Sequence, residues 1–267
     1  MMEIFAYPFM QRALIVGILI SICAALDGVS LVLRRNSMIG DGLSHTAFSA
    51  FALATVLGLT PLYFALPVVI IASFFILRLS QNHKLRGDAA IAVLSAYSLA
   101  IGTMAISLGK GVNIDLNSYL FGSILAVSWV DVILSAILTA AVLALYLFAY
   151  HRIFAITFDE EFAKSVGVKT GVYDAIFAAI CSVVVVLGMR LLGALLISSL
   201  IIFPTLSAMR LKRSFRGIVW LSALISVIAF IVGLVLSYLL ATPTGATVVI
   251  VNLIVFVISV LLQKILD

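Results

Sequence analysis

The chain has 267 residues, 64% of them hydrophobic and only 10% charged, with a mean hydropathy of +1.32. Soluble chains are roughly 45–50% apolar and about 25% charged, so a water-covered globular surface is excluded and lipid must be the solvent for most of the molecule. The net charge of +5 comes from basic residues in short loops, where they set orientation in a bilayer and do not form a nucleic-acid surface.

Nine apolar segments follow in chain order, at about 13–33, 38–58, 61–80, 88–108, 129–150, 172–192, 194–209, 217–240 and 244–263. At about 20 residues per spanning helix they use about 180 residues, which leaves no room for a soluble catalytic domain. The expected fold is an all-α integral membrane protein of about nine transmembrane or partly spanning helices, one polytopic domain over residues 1–267. Only Arg12 precedes the first apolar run, which lasts 21 residues, longer than a secretory signal core. Cys23 and Cys181 lie inside apolar runs and read as packing residues, not as a disulfide or a metal cluster. Residues 113–127 form a semi-polar stretch too short to cross. Segments 38–58 and 194–209 are the weakest spans: the first opens with Gly40, Asp41, Gly42, Ser44 and His45, and the second is short and carries Pro204. Broken or short helices of this kind are where transporters place pathways.

Alternate loops carry Arg34 and Arg35; Arg78, Lys84 and Arg86; Arg152, Lys164 and Lys169; Arg210, Lys212, Arg213 and Arg216; and Lys264. These thirteen basic residues oppose three, Arg12, Lys110 and Arg190, on the other side. The asymmetry puts the N-terminus outside and the C-terminus in the cytoplasm.

Polar groups within spans are expensive and usually purposeful. Asp41 and His45 are four residues apart, hence on one helical face. A carboxylate with an imidazole suits zinc or manganese. The alternatives are an N-cap role for Asp41 and a core histidine bonded to a carbonyl for His45. Asp27 either faces a pathway or, the favoured reading, pairs with a basic group near the inner surface. Ser128 and Asp131 have capping-box spacing. Asp88 reads as a cap, and His83 and His151 as solvated loop residues.

The longest cytoplasmic loop, His151 to Gly171, contains a short helix within a segment at about 157–171. Asp159 caps it, Glu160 and Glu161 occupy its positive first turn, Lys164 sits near its negative end and Gly167 terminates it. Phe158, Phe162 and Val166 form a narrow apolar stripe. Such a helix either docks into a partner's groove or lies on its own protein or on lipid. Pro204 should kink its helix and Gly193 permits a sharp entry turn; the two form either a gate or a packing kink. No GxxxxGKS/T, GxSxG, HExxH or CxxC motif is present, so the chain has no ATPase site of its own and is not expected to be an enzyme.

Five stretches in order resemble the permease subunits of bacterial zinc, manganese and iron ABC importers: LRRNSMIGDGLSH, SYLFGSILAVS, ITFDEEFAKSVGV, GALLISSLIIFPTLSAMRL and TPTGATVVIV. Their order covers nearly the whole chain from about Ala13. The wider arrangement is similar to the cobalamin and ferric-siderophore ABC permeases. Thr205 and Ser207 depart from alanines in that pattern, and Ala241 from an acidic residue. The resemblance implies a homodimer in the bacterial cytoplasmic membrane, with two ATP-binding cassette ATPase subunits inside and a metal-binding solute-binding protein outside. It places Asp41 and His45 on the family's Asp and His, and residues 156–168 on its coupling segment. No permanently bound cofactor is implied; the divalent metal, zinc first and then manganese or iron, is the substrate. An ion-coupled secondary transporter and a membrane-embedded enzyme are the alternatives from other classes. The enzyme needs a third ligand near the pair, and none stands at close spacing.

Overall fold

The structure, a computed structural model, describes residues 7–80, 87–109, 121–122 and 127–266, without the side chains of 77–80, 87–88 and 266. His83, the side chain of Asp88, Lys110 and most of the stretch 113–127 lie outside the described residues. Every described element is helical: α1 Pro8–Leu33, α2 Ile39–Val56, α3 Pro61–Ser80, α4 Gly87–Leu108, α5 Trp129–Phe158, α6 Glu160–Ser165, α7 Thr170–Leu192, α8 Ala194–Leu211, α9 Phe215–Leu240 and α10 Thr244–Leu266. Seven of them (α1, α4, α5 and α7 to α10) are long and apolar enough to cross a bilayer. Among the described residues α2 falls short of that measure, as expected of a weak span, but so does α3; α8, expected to be the other weak span, meets it, because its 18 residues are apolar on average.

Local chemistry sets several boundaries. Proline begins α1, where its missing N–H is no loss. Ser128 accepts from the Asp131 N–H while Asp131 Oδ2 accepts from the Ser128 N–H, so the expected capping box starts α5. Asp131 also pairs with Arg190 at 3.2 Å, which ties the start of α5 to the end of α7. Ser214 caps α9 through the Gly217 N–H. Gly193 alone separates α7 from α8, at φ +93°, a conformation that penalises any residue with a Cβ.

Helix α1 is the centre of the bundle and packs on α5, α7, α8 and α9; α2 packs on α3, α4, α7 and α8, and α10 on α8 and α9. Lipid supplies no hydrophobic drive between helices, so close backbone approach and interhelical hydrogen bonds do that work. A Cβ on Gly28 would sit 2.0 Å from the Ile201 carbonyl oxygen, so α1 and α8 touch backbone to backbone there. Ser226 donates to the Ser21 carbonyl at 2.9 Å, Asn252 to Ser199 Oγ at 3.2 Å, and the Tyr146 hydroxyl to the Leu26 carbonyl. Cys23 and Cys181 are free and buried, as packing residues should be.

Two expectations need correction. The fifth span runs on from about 150 to Phe158, so His151 is an exposed helical residue and not part of a loop. Its apolar face simply continues through buried Ile153 and Ile156. Asp27, expected to pair with a basic group, is buried, its Oδ2 has no hydrogen-bond partner, and no ion pair forms on it among the described residues. It lies seven residues before Arg34, about 10 Å along the helix, and Arg34 turns away to other carboxylates.

Candidate functional site

Helix α2 begins at Ile39 with Met38 as N-cap and no side-chain cap. Asp41 is therefore the third helical residue and not the cap; its carboxylate stands in the positive first turn. Asp41 Oδ2 lies 3.6 Å from His45 Nε2, with the two side chains 35% and 25% exposed. Two ligands each about 2.1 Å from a tetrahedral metal stand about 3.4 Å apart, so the pair fits one shared divalent ion. Ser198 of α8 donates to Asp41 Oδ1 at 3.3 Å and is 3.4 Å from Ser44 Oγ. His45 Nδ1 is buried without a partner. No group of three or more His, Cys, Asp or Glu side chains converges among the described residues, so the site as described brings together two such side chains, Asp41 and His45.

The residues named as a possible gate flank the same place. Gly193 makes the turn into α8, and Pro204 is buried in α8, whose helical run continues on both sides of it. Ser198, between them, is the contact to Asp41. It escaped the sequence reading, whose one available signal was a hydroxyl in a short apolar helix.

At the other end of the bundle, α6 has the anticipated form. Asp159 Oδ1 accepts from the Phe162 N–H at 2.9 Å, and Gly167, at φ +85°, donates to the Lys164 carbonyl at 3.0 Å. Lys164 pairs with Glu160 and with Glu161, each at 3.0 Å. Hydrogen bonds to Glu161 and Glu160 raise the Lys164 ammonium above the ordinary lysine pKa. Phe158, Phe162 and Val166 are 58%, 58% and 59% exposed. Phe158 belongs to α5 and contacts the rings of Phe154 and Phe215, so Phe162 and Val166 are the part of the stripe that α6 and its C-cap carry.

A strut unseen in the sequence holds this helix. Arg34 Nη1 donates to Asp174 Oδ1 at 2.7 Å and Arg34 Nη2 to Glu160 at 3.3 Å. It joins the end of the central helix α1 to α6 and to the start of α7. Read in sequence, Arg34 was one basic loop residue among many and Asp174 carried no motif.

The chain matches the ABC 3 transport family over residues 6–263. It belongs to that family. Across 253 residues it is 30% identical to the high-affinity zinc uptake system membrane protein ZnuB of Haemophilus influenzae, covering 95% of this chain and 97% of that one. It is 29% identical to the manganese import system permease protein ScaB of Streptococcus gordonii, covering 95% and 91%. Among solved structures it superposes on PsaBC from Streptococcus pneumoniae with a TM-score of 0.85 at 29% identity, over 97% of this chain and 93% of that one. As an ABC 3 family member with seven apolar helices of spanning length, it is a multi-span membrane protein.

Proposed function

We propose that the chain is the membrane permease of an ATP-binding-cassette importer for a divalent transition metal, zinc before manganese or iron. The observation that carries this is the Asp41–His45 pair, 3.6 Å apart and half-open at the start of a short helix. The family membership and the zinc and manganese relatives support it. The metal arrives from an external solute-binding protein, and hydrolysis belongs to two ATP-binding subunits on the cytoplasmic side. Two ligands are too few for a tight site, and that suits conduction: binding strips some water, yet release stays fast. A second copy facing the first supplies two more. Gly193 and Pro204 frame the moving element, because α8 touches Asp41 through Ser198. Helix α6, with Asp159, Glu160, Glu161, Phe162, Lys164 and Gly167, presents Phe162 and Val166 to the ATPase.

The test is accumulation of zinc, manganese and iron, measured together, in cells lacking the native gene and expressing wild type or Asp41→Asn at equal membrane levels. Wild type restores one metal, zinc by this reading, and Asp41→Asn does not. Because Met38 and not Asp41 is the cap, a lost cap cannot explain that result. Full uptake by Asp41→Asn would remove the pair from the pathway.

A further inference from the structure

A second feature is a crevice of about 710 Å³, lined by none of the residues of the Asp41–His45 site. It opens between α1, α5 and α9, none of which packs extensively on α2. Its walls are apolar, with Leu26, Leu143, Val219 and exposed Trp220, and one end is closed by His151 and Arg216. On α5 the lining runs from Leu143 to His151, about 12 Å along the helix. Arg216 stands in the first turn of α9, exposed, and makes no hydrogen bond or ion pair among the described residues. Trp220, one helical turn further along α9, is exposed beside it, and tryptophan is enriched at membrane interfaces.

We propose that this crevice is a lipid site: one acyl chain of an anionic phospholipid fills it and the phosphate sits on Arg216. The charge pattern selects this occupant. An apolar cleft between spanning helices, ending in an unpaired guanidinium, matches an acyl chain continuous with a negative headgroup, and basic pockets between such helices bind anionic headgroups. Arginine also meets a phosphate bidentately. Deep in the wall the Tyr146 hydroxyl is bonded to the Leu26 carbonyl and to Ser30, so the polar groups left for a ligand lie at the Arg216 end and the rest of the cleft asks for hydrocarbon.

Trp220 reports on the site directly. The chain has two tryptophans, Trp129 and Trp220, so Trp129→Phe leaves Trp220 as the sole emitter. The full chain is reconstituted into phosphatidylcholine vesicles containing a rising fraction of phosphatidylglycerol dibrominated in mid-chain. Quenching of Trp220 should reach half its maximum at a phosphatidylglycerol fraction about fivefold below that for random mixing, the preference one basic residue confers. Arg216→Gln, an exposed and unpaired position, should return the curve to random mixing, and Arg216→Lys should keep most of the preference. Random mixing in the wild-type background, or an unchanged preference in Arg216→Gln, overturns the assignment. So does the absence of quenching by any brominated lipid, which means protein, such as a second copy of the chain, covers the crevice.

Discussion

Asp41 and His45 carry the proposed chemistry with no third ligand beside them among the described residues of the chain, and that makes them sensitive. His45→Ala is expected to lower metal uptake at least tenfold while leaving the protein folded, because the ring is partly exposed and its Nδ1 has no partner to lose. His45→Asp replaces nitrogen by a harder oxygen, so the ratio of manganese to zinc uptake should rise. An unchanged ratio would remove His45 from the path. Asp27 poses the opposite question. An isolated buried carboxylate is unfavourable unless paired, and no cation pairs with it among the described residues, so Asp27→Asn should leave thermal stability unchanged or raised. Loss of about 3 kcal/mol or more, the size of a broken buried ion pair, would reveal a partner.

At the level of elements, α6 depends on two layers of interaction. Its own cap and its ion pairs with Lys164 are local, and an exposed pair of that kind is worth little. The Lys164 pKa is raised, so the stabilisation is fully present below the ordinary lysine value and is lost only as pH climbs through the higher folded one; acidification to neutral pH leaves it intact. What aims α6 is Arg34, which is mostly buried and holds Glu160 and Asp174 together. Arg34→Gln should therefore leave the protein in the membrane but reduce transport-linked ATPase activity, and Glu160→Gln should produce a smaller loss of the same kind. Phe162→Ala removes an outward aromatic, typically about 2 kcal/mol at an interface hot spot. Copurification of the ATPase should weaken for Phe162→Ala and fail for Phe162→Asp. Full ATPase stimulation by Phe162→Asp would place the docking surface elsewhere.

For the whole molecule, the charge asymmetry predicts orientation. Single cysteines at Lys110 and Lys169, in a background with Cys23→Ala and Cys181→Ala, should label from opposite faces of intact cells; labelling of both from outside would overturn the topology. Much of the architecture was legible because it rests on short-range physics. Apolar runs of spanning length must become helices in lipid, and Ser128 with Asp131, Asp159 with the Phe162 N–H, and Gly167 are all interactions within three residues, so their spacing already implies their geometry. The pair Asp41–His45 was likewise visible, being one helical turn. Tertiary structure decided what lies far apart in sequence. Ser198 reaches Asp41 across 157 positions, and Arg34 reaches Glu160 and Asp174 across 126 and 140. Asp27 has no ion-pair partner among the described residues although its helix packs on four others, and the crevice beside Arg216 is lined by α1, α5 and α9 together. No local pattern encodes such meetings: they depend on which faces of the described helices come together, and in lipid that choice is made by close backbone contacts such as Gly28 against Ile201 and by a few interhelical hydrogen bonds.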